Sequence, residues 1–171
     1  QAQKRNMLQE AARIARGQIV EIGSVVPADL DALVIPGGFG SAKNFSSWAF
    51  DGPKGTLRPD VKLLLVNMYN VGKPIVALCV SPVLIALAFE GMQVAPQLTI
   101  GSTVCPSPYQ IADFQQGMQA KGVSTMECSI DEICIDHTNR IITAPCYMLQ
   151  ASLPQLQANI AKALAALQHF F

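Results

Sequence analysis

The sequence has little charge and almost no histidine. Of 171 residues 14% are charged, 12 Lys and Arg balance 12 Asp and Glu, and two are His. A chain without net charge sets up no long-range field toward phosphate backbones or anionic lipid, so nucleic acid is not an expected partner. No apolar stretch reaches the roughly 20 residues needed to cross hydrocarbon before a charge, Gly or Pro interrupts it, so no membrane association is expected either. The five cysteines (Cys79, Cys105, Cys128, Cys134, Cys146) include no CxxC pair and have no histidine at metal-ligand spacing. That excludes a disulfide framework or a zinc site, so neither metal nor cofactor is expected, and the expected location is cytoplasmic. The first residues, from Gln1, read as the middle of a helix rather than as a signal or transit peptide. The expectation is that a further N-terminal piece precedes them.

What is present is apolar material, 50% of the residues, enough for one core, with no repeats or low-complexity linkers to divide it. Residues 1–171 therefore read as a single domain. Helical spacing over Met7–Ala15, with Gly17 as a C-cap, is followed by a short expected strand, Ile19–Ile22. The run Asp31-Ala-Leu-Val-Ile-Pro36 predicts a buried parallel strand entering a Pro36-Gly37-Gly38 loop. A helix from Pro59 to Asn70 leads to a second apolar strand, Ile75–Leu78, and Pro82 opens a helix through Phe89. A strand at Leu98–Ile100, a helix at Tyr109–Ala120 and a short strand at Val123 follow. Ile133–Asp136 and Ile141–Thr143, around His137-Thr-Asn-Arg140, predict a β-hairpin, and Leu153–Phe170 a final helix. Alternating strands and helices imply an α/β fold whose parallel sheet is covered on both faces, with ligands at the carboxyl ends of the strands.

Two such ends carry candidate chemistry. Cys79 ends an apolar strand just before the helix-opening Ser81-Pro82, as the nucleophile of an elbow does, and a helix N-terminus beside it would favour thiolate over thiol. A small buried hydrophobe is an equally good account of a free cysteine. Gly37 and Gly38 end a neighbouring strand without side chains to obstruct approach, so the N–H groups of Gly38 and Val80 could hold an oxyanion formed on a carbonyl that Cys79 attacks. Taken alone, Pro-Gly-Gly is an ordinary turn.

The segments Pro36-Gly-Gly-Phe-Gly-Ser-Ala-Lys-Asn44, Gly72-Lys-Pro-Ile-Val-Ala-Leu-Cys-Val-Ser-Pro82, Leu98-Thr-Ile-Gly101 and Ile142-Thr-Ala-Pro-Cys-Tyr-Met148 resemble the ElbB family. This is the isoprenoid-biosynthesis glyoxalase-like (enhancing lycopene biosynthesis) branch of the ThiJ/PfpI superfamily, related to class I glutamine amidotransferases. The resemblance runs through essentially the whole chain. It implies a flavodoxin-like three-layer sandwich, a homodimer, Cys79 as the reactive cysteine, and Gly38 and Val80 as the oxyanion hole. Gly37, Phe39, Lys43, Asn44, Ser81 and Tyr147 would then line or support the pocket. Loop hydrogen bonding and a solvated lysine account equally well for Asn44 and Lys43, and packing for Tyr147.

Two departures bear on function. Val80 stands where the peptidase branch commonly has a histidine, and His137 and His169 read as surface residues, so a Cys-His pair is not expected. Relatives also begin with a strand and helix ahead of the segment aligned to Gln1, including a glutamate that hydrogen-bonds the cysteine. The leading expectation is conversion of a small carbonyl substrate, a 2-oxoaldehyde such as methylglyoxal, to a 2-hydroxy acid through Cys79. The alternatives are a non-enzymatic redox or stress-response module built on an oxidisable Cys79 and, more weakly, an amidotransferase or peptidase.

Overall fold

A computed structural model describes residues 5–171. Helix α1 (Met7–Ala15) forms where the spacing predicts it, with the Asn6 side chain accepting the Gln9 N–H at 3.1 Å as an N-cap. Its C-cap is Arg16, which takes the left-handed conformation itself (φ 53), with Gly17 one residue beyond. No residue of α1 is buried, and Ile14 is 89% exposed. The strand expected at Ile19–Ile22 does not form; the chain is irregular to Glu21 and makes one 3-10 turn at Ile22–Ser24. A short apolar run becomes a strand only beside a neighbour that completes its ladder, and among the described residues none lies there.

The remaining elements are β1 (Leu33–Ile35), α2 (Phe39–Asn44), α3 (Trp48–Asp51), α4 (Pro59–Asn70), β2 (Ile75–Leu78), α5 (Pro82–Phe89), β3 (Gln97–Gly101), α6 (Ile111–Gln119), β4 (Ser124–Glu127), β5 (Cys134–Asp136), β6 (Ile141–Ala144) and α7 (Leu153–Ala165). The main sheet has the order β1-β2-β6-β5, parallel except for β5, which pairs antiparallel with β6 as the expected hairpin. Helices cover both sides, giving the α/β architecture anticipated from the alternation of elements. Strands β3 and β4 form a separate parallel pair. Side chains tie it to the main sheet: the Thr99 N–H donates to Thr143 Oγ1 at 2.8 Å and the Gln97 N–H to Asp136 Oδ2 at 2.8 Å.

Two expectations change here. The glycine-rich segment after Pro36 is helical rather than a loop, because Gly38 (φ 80) turns the chain directly into α2. Strand β1 is only partly buried: it pairs with β2 alone among the described residues, and Val34 is 39% exposed.

The centre of the core is α5. Its sequence, Pro-Val-Leu-Ile-Ala-Leu-Ala-Phe, has no polar residue, and every one is buried between α4, β2, β3 and α6. At about 1.5–3 kcal/mol for each large apolar side chain removed from water, this helix anchors the strand-to-helix connection that carries Cys79.

Candidate active site

Strands β2 and β6 run side by side, with Leu78 opposite Ala144 at their carboxyl ends. Cys79 follows directly, held by its N–H to the Ala144 carbonyl at 3.0 Å, and takes a left-handed backbone conformation (φ 59). A non-glycine residue there is strained by about 1–3 kcal/mol. The strain turns the side chain out of the strand direction just as Ser81 and Pro82 start α5, the strand-turn-helix geometry expected of an elbow. The Cys79 side chain is almost enclosed, at 9% exposure.

Three backbone N–H groups face its sulfur: those of Gly38, Val80 and Tyr147. Each comes from a different element, namely the N-terminus of α2, the entry to α5 and the turn after β6. The close approach of the first depends on Gly37. A Cβ at that position would stand 2.5 Å from the Leu78 carbonyl oxygen and 2.8 Å from the Cys79 Cβ, and its φ of 96 suits only glycine. The Ser41 hydroxyl fixes this turn by donating to the Gly37 carbonyl at 2.9 Å.

Burial pushes the Cys79 thiol up, and the three N–H groups only partly offset it. The thiolate expected from the helix N-terminus is therefore not the resting form, because desolvation of a sulfur enclosed by α5 outweighs the dipoles aimed at it. No charged side chain among the described residues perturbs it. The histidines are at the other end of the sheet. His137 packs against His169 with ring centroids 5.9 Å apart, beside Arg140, whose carbonyl receives the Ile75 N–H at the start of β2. Four residues of strand, about 13 Å, separate that end from Cys79.

The other candidate residues divide between the site and its rim. Gly37, Gly38 and Val80 adjoin Cys79. Ser81 is fully buried, and among the described residues its hydroxyl has no hydrogen-bond partner. Phe39 is 38% exposed, and its ring lies 5.4 Å from that of Tyr109. Tyr147 contributes its backbone to the site while its side chain, 56% exposed, turns outward to a groove of about 460 Å³ along Leu153, Leu156, Ile160 and Leu164 of α7. Lys43 and Asn44 lie exposed on the last turn of α2, and among the described residues neither side chain makes a hydrogen bond.

One neighbour was missed at the level of sequence. Cys146 ends the segment after β6 as Cys79 ends β2, and it too is left-handed (φ 47). It is 1% exposed; its N–H donates to Asn159 Oδ1 at 3.0 Å, and its sulfur lies against the Cys79 backbone N–H. The signal was available in the parallel between Ala77-Leu78-Cys79 and Ala144-Pro145-Cys146, two adjacent strands each running out into a cysteine.

No family model matches the chain. It is 33% identical over 163 residues, 94% of its length, to the human glutamine amidotransferase-like class 1 domain-containing protein 3, mitochondrial. It spans 59% of that relative and 58% of the rat ES1 protein homolog, mitochondrial, to which it is also 33% identical over 161 residues, 92% of its own length. The crystal structure of an isoprenoid biosynthesis protein with an amidotransferase-like domain from Ehrlichia chaffeensis superposes with a TM-score of 0.83 at 31% identity, over 97% of this chain and 71% of that one. By sequence and by fold, the chain belongs to the glutamine amidotransferase-like class 1 family, in the branch of the ES1 and ElbB-type isoprenoid biosynthesis proteins.

Proposed function

We propose that the Cys79 centre converts small 2-oxoaldehydes, methylglyoxal among them, to 2-hydroxy acids without metal or glutathione. What carries this reading is the set of three N–H groups converging on one strained, enclosed cysteine, a geometry that stabilises negative charge developing on an oxygen beside the sulfur. The Cys79 sulfur adds to the aldehyde carbon, and the resulting hemithioacetal oxygen takes hydrogen bonds from Gly38 and Val80. A base removes the proton from that carbon to give an enediol, and protonation of the adjacent carbon gives a thioester. Water then releases the 2-hydroxy acid and regenerates the thiol. Because Cys79 rests as a thiol, the reaction needs a base; in this reading it is the glutamate that the family resemblance puts ahead of the segment aligned to Gln1.

The test is loss of methylglyoxal with formation of lactate. Cys79→Ala should lower the rate by at least about a thousandfold; equal rates would remove Cys79 from the chemistry. The absence of a charged partner at Cys79 among the described residues also favours a second reading, an oxidisable cysteine read by a partner protein. Selective modification of Cys79 by peroxide supports it, and uniform oxidation of all five cysteines contradicts it. Amidotransferase or peptidase chemistry is the weakest reading, since histidines at the opposite end of the strands, about 13 Å of strand from Cys79, cannot act as its base; glutamine hydrolysis lost in Cys79→Ala would establish it.

We infer a homodimer as the working form, which sedimentation can check. The human relative is named as mitochondrial, and no described helix is long and apolar enough to cross a membrane. Cell fractionation would decide between cytoplasm and mitochondrion.

A further inference from the structure

Among the described residues, four non-glycine residues have positive φ: Arg16, Cys79, Arg140 and Cys146. The two arginines sit in a helix cap and a hairpin turn, where left-handed residues are commonplace. The two cysteines end adjacent strands of one sheet, where such a conformation persists only if the surroundings impose it. Both are anchored, Cys79 through the Ala144 carbonyl and Cys146 through Asn159, a 1% exposed residue of α7 whose Nδ2 donates in turn to the Glu132 carbonyl at 2.8 Å. The Cys146 sulfur lies against the Cys79 N–H, and that nitrogen is two bonds from the Cys79 Cβ. Leu78 and Ala144 pair one and two residues before them, so the two cysteines stand at adjoining strand ends.

We propose that Cys79 and Cys146 form a two-cysteine redox couple, with Cys79 the thiol oxidised by a hydroperoxide and Cys146 the thiol that resolves it into a disulfide. The order follows from access: Cys146 is 1% exposed and Cys79 9%, so an oxidant arriving through the mouth of the site meets Cys79 first. The Cys79 sulfur attacks one peroxide oxygen and the O–O bond breaks, leaving a sulfenic acid and one water from hydrogen peroxide. The Cys146 sulfur then attacks the sulfenic sulfur and the S–O bond breaks. Its proton leaves with the hydroxyl as a second water, and the S–S bond forms. Two thiols have lost two electrons, and the peroxide has gained them. Trapping of the sulfenic acid protects Cys79 from irreversible sulfinic acid.

This inference rests on Cys79 being the reactive thiol, and one experiment separates the two claims. Reduced protein is treated with graded hydrogen peroxide, quenched with N-ethylmaleimide, digested without reductant and read by mass spectrometry. The expected product is a cross-linked peptide pair containing Cys79 and Cys146, lighter by two hydrogens. Cys146→Ser and Cys146→Ala, each checked for folding by circular dichroism, should raise the sulfinic acid at Cys79 about tenfold. If wild type forms no cross-link and gains sulfinic acid as fast as the variants, the couple is refuted while the reactive Cys79 stands. If Cys79 stays reduced while Cys105 is oxidised, both claims fall. The wild-type cross-link decides the matter even if neither variant folds.

Discussion

The two ends of β2 and β6 are built from opposite materials. At the amino end, side chains dominate: His137 and His169 pack edge to face, and the Arg140 guanidinium lies 5.0 Å over the Phe170 ring. At the carboxyl end the chain offers backbone, three N–H groups around one sulfur and a second cysteine behind it. The two histidines are thus kept away from the candidate nucleophile. The carboxyl end can stabilise charge but, from the residues described, cannot by itself take up a proton. That is why a base from another segment belongs to the proposed reaction.

The largest break in this contrast should come from Gly37→Ala. The added Cβ would meet the Leu78 carbonyl at 2.5 Å and the Cys79 Cβ at 2.8 Å, and neither can retreat, since both belong to the strand end packed under α5. Overpacking and left-handed strain together should cost about 2–5 kcal/mol, with both turnover and Cys79 alkylation lost. Chemical denaturation and iodoacetamide labelling measure the two effects; an unchanged labelling rate would mean that the glycine turn does not shape the site.

A smaller effect is expected at Asn159. Asn159→Ala removes the acceptor of the Cys146 N–H and the donor to the Glu132 carbonyl, leaving buried groups unsatisfied at about 1–3 kcal/mol each. Hydrogen exchange should then speed up at the turn after β6, with less change at α5. Uniform acceleration would show that the turn is not separately anchored.

Sequence made some parts of this site plain and hid others, for physical reasons. Cys79 was legible because a fully apolar strand stops at it and Pro82 opens a helix, both local signals. Gly38 and Val80 are candidate oxyanion donors from sequence, and both have N–H groups facing the sulfur; Tyr147, the third, is a candidate there only through its ring. A backbone donor has no residue identity, so sequence points to it only when glycine marks the spot. The helical start of the glycine-rich segment was missed because Gly38 acts as a conformational turn rather than a side-chain cap. The expected burial of β1 and the expected strand at Ile19–Ile22 failed for a shared reason: apolar content says that a segment can enter a sheet, but pairing depends on neighbours distant in the chain.

Alkaline pH sharpens the comparison more gently. Burial pushes the Cys146 thiol up to about 11 and the Cys134 thiol up to about 12, and raises Cys79 and Cys128 as well. Groups whose pKa is raised on folding stabilise the protein while protonated. Their contribution is complete below the ordinary thiol value of 9.0 and is lost as pH climbs through about 11 to 12. Denaturation midpoints should fall across that window, and alkylation of Cys79 should rise at higher pH than for a free thiol. A labelling profile centred below the free-thiol value would mean that the N–H groups win over desolvation after all.

The smallest effect is expected at the opposite end. His137 and His169 are exposed, make one edge-to-face contact with each other, and lie about 13 Å of strand away from Cys79. His137→Ala with His169→Ala should change stability by less than about 1 kcal/mol and leave the rate and pH profile of Cys79 alkylation within about twofold. A shift of that profile by the double substitution would couple the two ends of the sheet and undo their separation into a side-chain end and a backbone end.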